Sequence, residues 1–297
     1  MTHMSISLKK ALFLLTFLCT FASFTMMAQE AKEYHFKHKG MDRTYWLYIP
    51  ETLSEKAPLV IVMHGYGGKA EGYRPEMMTT AEKHGFAVCY PQGAKDKKGK
   101  TGWNVGYPAQ EGMNTDDLDF ICKLAGHLQK KHGLSKENTF CSGMSNGGEM
   151  CYLLATLKPG AFTAYASVAG LTMEWAYRNH RPEKPVPFME VHGTADKTSK
   201  WEGDPDNAGG WGEYIAVPQA IAVMSTTAKC THVESSELPV KRNEITLHRY
   251  LGGEKAWKGG PDIEVRLYEV KGGKHSWALK DMDTCEEIWN FFKLYLR

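Results

Sequence analysis

The chain has 297 residues, 42% of them hydrophobic and 24% charged, with a formal net charge of +2 at pH 7. That length suits one large α/β domain or two small ones and can bury a core without disulfides or metals. The near-balanced charge gives no reason to expect a nucleic-acid or acidic-polymer partner.

At the N-terminus Lys9 and Lys10 precede an apolar run from Ala11 to Phe24, and Met26-Met27-Ala28 offers a cleavage point before Gln29. This is the pattern of a secretory signal, so residues 1–28 are expected to be removed and residues 29–297 to form a single catalytic domain, secreted or periplasmic. The run is too short and interrupted for a transmembrane helix, so no stable membrane association is expected after cleavage. Cys19 follows Leu18 where a lipoprotein would have a small residue. Cleavage removes two lysines and no acids, leaving a formal charge of zero. Six cysteines remain; sequence does not choose their pairing, and Cys89 and Cys141 read as buried thiols. No cysteine or histidine cluster has zinc spacing, and neither a metal nor an organic cofactor is expected.

Residues 33–38 and 43–49 read as an opening β-hairpin turning at Gly40. The apolar run 58–63 reads as a strand buried on both faces, as in a parallel sheet. A helix over 75–84, a strand over 86–90 and a long loop over 91–113 follow. Residues 114–117 open a helix running to about His132, and their acids suit a helix start. A strand over 138–142, a helix over 145–157 and strands over 162–168 and 187–191 come next. Then come a loop over 197–216, a helix over 217–228, strands over 245–250 and 263–270, and a helix over 282–295. This alternation predicts a mostly parallel sheet with helices on both faces.

Gly143-Met144-Ser145-Asn146-Gly147 lies between a strand and a helix, the context of a nucleophile elbow. There the serine takes a strained backbone conformation that lifts its hydroxyl above the sheet, and side chains at 143 and 147 would collide with the turn. A serine needs a base, and the base an orienting carboxylate. Asp196 and His275 supply both at later strand ends, in the order Ser, Asp, His found in α/β-hydrolases. Asp204 and Asp206 are alternative acids. His192 also ends a strand, but it precedes Asp196, against that order, and reads as structural. His64-Gly65-Tyr66 ends the first buried strand, where Tyr66 N–H would join Asn146 N–H in binding an oxyanion. Among Asp116, Asp117 and Asp119, one could support the loop beside this site.

With these residues in place, the chain resembles the esterase family that joins feruloyl esterases, acetyl xylan esterases and polyhydroxybutyrate depolymerase-like proteins. The resemblance rests on Tyr45–Pro50, His64–Gly68, Tyr90–Gly93, Trp103-Asn104, Asp116-Asp117, Gly143–Gly148, His192–Asp196 and Gly272–Trp277. It implies the α/β-hydrolase fold and the triad Ser145, Asp196 and His275. Met144 and Lys274 stand where secreted fungal members often carry a bridging cysteine pair. The resemblance, with Trp103, Trp201, Trp211 and Trp277 in candidate site loops, favours feruloyl or related esters of plant cell-wall polysaccharide as substrates. Acetyl xylan or a short polyester is the alternative ester. A secreted serine peptidase and a non-catalytic binding protein are the alternatives of another class.

Overall fold

A computed structural model describes residues 30–297. The expected signal segment lies outside these residues. Within them, no helix is long and apolar enough to cross a membrane.

Ten strands form one sheet: β1 (Lys32–His38), β2 (Met41–Tyr48), β3 (Leu59–Met63), β4 (Ala87–Pro91), β5 (Thr139–Met144), β6 (Tyr165–Val168), β7 (Phe188–Gly193), β8 (His232–Glu237), β9 (Ile245–Leu251) and β10 (Val265–Val270). Their spatial order is β1-β2-β4-β3-β5-β6-β7-β10-β9-β8. The six strands from β4 to β10 run parallel. An antiparallel pair closes each side, β1–β2 and β9–β8. Leu59–Met63 and Ala87–Pro91 are buried throughout, as strands covered on both faces must be.

The main helices are α1 (Pro75–His84), α2 (Asp117–His132), α3 (Asn146–Leu157), α4 (Glu174–Asn179), α5 (Val217–Thr227) and α6 (Thr284–Phe292). Side chains of α2, α3 and α5 pack into the apolar core on one face of the sheet. Those of α1 and α6 fill the core on the other, where Phe86 stacks on Trp289 at 4.2 Å and Phe140 on Phe292 at 4.8 Å. Each such side chain removed from water contributes roughly 1.5–3 kcal/mol. α1 begins with Pro75 at its first turn and ends at Gly85 in the left-handed conformation, so its sequence limits match its structural ones.

Some elements depart from the sequence reading. β8 is exposed along its whole length, so His232–Glu237 carries no apolar alternation to betray a strand. The stretch 91–113 contains a two-residue ribbon pairing 94–95 with 101–102 and a 3-10 turn at Pro108–Gln110. α4 has six residues, too few to show a helical period. The last helix gives way to a 3-10 turn at Lys293–Tyr295. All six cysteines of the described residues are free thiols, Cys89 and Cys141 being fully buried.

Because β3, β5, β7 and β10 are parallel, their carboxyl ends open on the same edge of the sheet. His64, Ser145, Asp196 and His275 each follow one of these ends.

Candidate active site

Ser145 joins β5 to α3 with φ 55° and ψ −123°, a conformation that strains any residue with a side chain. The turn is fixed by its backbone: Ser145 N–H donates to the Val168 carbonyl at 2.8 Å, and Glu149 N–H to the Ser145 carbonyl at 2.8 Å. A Cβ at 143 would run into the Gly147 carbonyl, and one at 147 into the Met63 carbonyl, so both positions require glycine. The result is a strained strand–turn–helix backbone at Ser145.

His275 Nδ1 lies 2.7 Å from Asp196 Oδ2. The carboxylate side chain is fully buried, whereas the imidazole is 22% exposed. Asp196 Oδ1 accepts the N–H groups of Thr198 at 2.8 Å and Ser199 at 2.9 Å. A ring whose Nδ1–H is donated to a carboxylate presents Nε2 as the basic nitrogen. Ser145 and His275 line one cavity of about 210 Å³. Asp204 is spent elsewhere, accepting the Gly209 N–H and pairing with Lys200 at 2.9 Å.

The His64-Gly65 turn packs against the nucleophile: a Cβ on Gly65 would lie 3.3 Å from Ser145 Cβ. His64 is buried, and its Nδ1–H donates to the Gly65 carbonyl at 2.7 Å while Nε2 accepts the Gly93 N–H at 3.0 Å. Because Nε2 accepts a hydrogen bond the ring is a neutral strut, and burial lowers its proton affinity in the same sense. Asn146, at the first position of α3, leaves its backbone N–H without an intrahelical acceptor. Its side chain clamps the Trp103 backbone, accepting from Trp103 N–H at 2.7 Å and donating to its carbonyl at 3.0 Å.

The four tryptophans separate. Trp211 lines the cavity with Tyr66 and Tyr107, the three rings packing at centroid distances of 5.2–5.9 Å. Trp103 does not reach it: it is fully buried and donates its indole N–H to the His64 carbonyl at 2.8 Å, bracing the turn from behind. Trp201 packs edge-on to His192 at 6.1 Å. Trp277 is 4% exposed, donates to the Tyr73 hydroxyl and borders a separate depression with Arg74 and Met144. Of the four, Trp211 alone lines the cavity that Ser145 and His275 share, and Trp103 is a packing residue, because an indole large enough to bind a substrate is equally suited to fill a core.

Tyr107, Leu171, Thr198 and Ser199 complete the wall. Sequence reading missed them because they come from loops whose approach depends on the whole fold. Asp117 supports this region, pairing with Arg43 at 2.8 Å and accepting the Asn104 N–H at 2.9 Å. Asp116 caps α2 by accepting the Asp119 N–H.

Two further acids are buried on the neighbouring elements α3 and β7. Glu149 on α3 accepts the Tyr107 hydroxyl at 2.6 Å, and burial pushes its pKa up to about 8 with the charge of Glu190 adding to the rise. Glu190 on β7 faces His192.

The family model described as Esterase PHB depolymerase matches residues 43–180. A putative esterase, NocK, of Nocardia uniformis is 27% identical over 80% of this chain and 71% of its own length. The bifunctional acetylxylan esterase/xylanase XynS20E of Neocallimastix patriciarum is 24% identical over 56% of this chain and 23% of its own. Feruloyl esterase B of Neurospora crassa is 26% identical over 42% of this chain and 43% of its own. The alignments thus span less than half the length of the latter two relatives. Among solved structures, an acetyl xylan esterase from Aspergillus awamori superposes with a TM-score of 0.58 at 15% identity, covering 89% of this chain and all of that one. An acylaminoacyl peptidase from Pyrococcus horikoshii gives 0.57 at 16% identity, over 90% of this chain and 42% of that one. The fold is that of the α/β-hydrolases. Within that class, the resemblance read from the sequence holds: the chain is similar to proteins named as feruloyl and acetyl xylan esterases.

Proposed function

We propose that this chain is an exported serine esterase that cleaves hydroxycinnamoyl esters, such as feruloyl esters of plant cell-wall polysaccharide. The observation that carries the reading is one small cavity shared by a strained serine and a carboxylate-bound histidine, walled by three aromatic rings.

In this reading His275 Nε2 takes the proton from Ser145 Oγ as the oxygen attacks the ester carbonyl. Asp196 holds the ring and stabilises the imidazolium that forms. The backbone N–H groups of Tyr66 and Asn146 bind the oxyanion, an interaction that strengthens as charge develops. The imidazolium then gives its proton to the departing alkoxide. Water, activated by the same histidine, hydrolyses the acyl-enzyme.

A cavity of about 210 Å³ is below the usual range for whole drug-sized ligands and suits one ring or acyl group. The Tyr66, Tyr107 and Trp211 rings offer faces and edges against which a planar cinnamoyl group packs. The names of several relatives favour a second reading, an acetyl ester of xylan.

The test compares wild type with Ser145→Ala on methyl ferulate, methyl p-coumarate, acetylated xylan and p-nitrophenyl acetate. Wild type is expected to prefer the hydroxycinnamates, and the variant to lose at least about 10³-fold in kcat on every ester. Trp211→Ala is expected to lower kcat/KM on methyl ferulate about tenfold and leave p-nitrophenyl acetate nearly unaffected. A wild-type preference for acetyl esters sinks the aromatic substrate while sparing the serine mechanism. Undiminished turnover by Ser145→Ala sinks both.

A further inference from the structure

A second histidine–carboxylate pair lies behind Asp196, and the acyl-transfer steps do not use it. Glu190 and His192 stand two residues apart on β7, so they share a face of the sheet. Both side chains are fully buried. His192 Nδ1 is 2.9 Å from Glu190 Oε1, and its Nε2 is 2.8 Å from the Ser199 carbonyl oxygen and 3.8 Å from Asp196 Oδ2.

The hydrogen-bond chemistry fixes one proton directly and ties the other to the charge of Glu190. A carbonyl oxygen only accepts, so Nε2 carries a hydrogen. Glu190 Oε1 also accepts the Gly170 N–H at 3.2 Å, and opposite an ionised Glu190 the Nδ1 atom carries a hydrogen as well. A ring protonated on both nitrogens is an imidazolium. Burial opposes this charge, but the hydrogen bond and charge of Glu190, the Ser199 carbonyl and the charge of Asp196 outweigh it and raise the proton affinity of His192.

We propose that His192 is a positioning residue, held as a buried imidazolium by Glu190, that backs Asp196 with a cation and clamps the 196–199 turn so that the carboxylate stays aimed at His275. The proposal rests on the reading of Ser145, Asp196 and His275 as the triad. The clamp is two-sided: Asp196 accepts the Ser199 N–H, and His192 donates to the Ser199 carbonyl. Ser199 also lines the cavity, so slack in the clamp would reach the substrate wall.

Glu190 Oε2 is buried without a partner among the described residues, and few other ionisable groups face the pair. From α3, Tyr152 and Glu149 face Glu190, and Glu149, raised to about 8, is mostly uncharged at neutral pH. From β10, Glu269 stands opposite His192 in the sheet register and is engaged by His248 at 3.2 Å. The Trp201 ring closes the remaining side.

The experiment has a spectroscopic arm and a kinetic arm. In the purified wild-type protein labelled with 15N-histidine, the His192 signals, assigned by their loss in His192→Gln and displacement in Glu190→Gln, should show both ring nitrogens protonated from pH 6 to 8. A neutral ring in that window overturns the proposal. In the kinetic arm, pH profiles with p-nitrophenyl acetate are recorded for both variants. His192→Gln should lower kcat about tenfold or more with KM within about threefold, because orientation rather than binding is lost. The acid limb of kcat/KM should move to higher pH by about half a unit, since a cation facing the same Asp196 oxygen as His275 has been removed. Glu190→Gln, nearly isosteric, should move it the same way by less, and it carries the kinetic test if His192→Gln fails to fold. Unchanged profiles and kcat, with only a lower melting temperature, overturn the proposal. Ser145→Ala, run alongside, separates the two claims: if it retains turnover, the triad reading has failed, while the spectroscopic arm still decides the state of His192.

Discussion

Two buried carboxyl groups lie near Ser145, and their surroundings supply them with very different numbers of donors. Asp196 has two N–H donors on one oxygen and the His275 ring on the other. Glu149 has the Tyr107 hydroxyl on Oε1, and its Oε2 has no partner among the described residues. Burial penalises the charged form of any carboxyl group, and donors are what offset that penalty. The well-supplied group is held in place to orient a base. The poorly supplied one holds its proton to about pH 8 and acts as a neutral part of the core. Burial depth alone therefore says nothing about which acid takes part in chemistry.

The sharpest way to break this contrast is Asp196→Asn. The amide fits the same turn but presents the wrong group to Nδ1–H, and kcat is expected to fall roughly 10³–10⁴-fold with little change in KM. A loss under tenfold would show that the carboxylate charge is not what orients His275.

Glu149→Gln tests the other side. The folded value of about 8 lies above the ordinary 4.5, so the folded state binds this proton more tightly than the unfolded chain. The stability linked to that proton is complete below about pH 4.5 and is lost as pH rises through about 8. Each unit of separation is worth about 1.4 kcal/mol, so the loss reaches a few kcal/mol. Glutamine has nothing to ionise. Urea midpoints at pH 5 and pH 8 should show the variant gaining on wild type as pH rises. A constant difference between the two pH values would mean that Glu149 is charged in the fold.

The contrast between these acids also explains what was legible in the sequence. The turns that carry Ser145, Asp196 and His275 could be placed because each lies where a buried strand gives way to a glycine-containing segment, which is a local feature. The parallel sheet was readable for the same reason, since fully buried strands are continuous apolar runs. The hydrogen-bond supply of a buried acid is not local. Glu149 stands out as the sole charged residue of α3, but its donor comes from Tyr107, 42 residues earlier in a loop. Glu190 reads as one polar residue in a strand until His192 and Gly170 are seen to converge on it. The indoles failed for a related reason. Trp103 and Trp211 differ only in whether the fold turns them inward or toward the cavity, and nothing in their flanking residues records that choice. β8 escaped because an exposed edge strand needs no apolar pattern.

The smallest expected effect isolates the single donor. Tyr107→Phe removes the hydroxyl on Glu149 and keeps the ring against Tyr66 and Trp211. Below pH 8 the bond joins two neutral groups and is worth about 1 kcal/mol; once Glu149 ionises it becomes charge-assisted and is worth about 1.5–3 kcal/mol. A double-mutant cycle between Tyr107→Phe and Glu149→Gln should therefore give a coupling that grows between pH 6 and pH 9. Wild type and Tyr107→Phe should also diverge in stability over that window, the variant being the poorer at high pH because its carboxylate has lost its donor. A coupling that stays flat with pH would show that Glu149 does not ionise there, and that the gap between the two acids is set by something other than their donors.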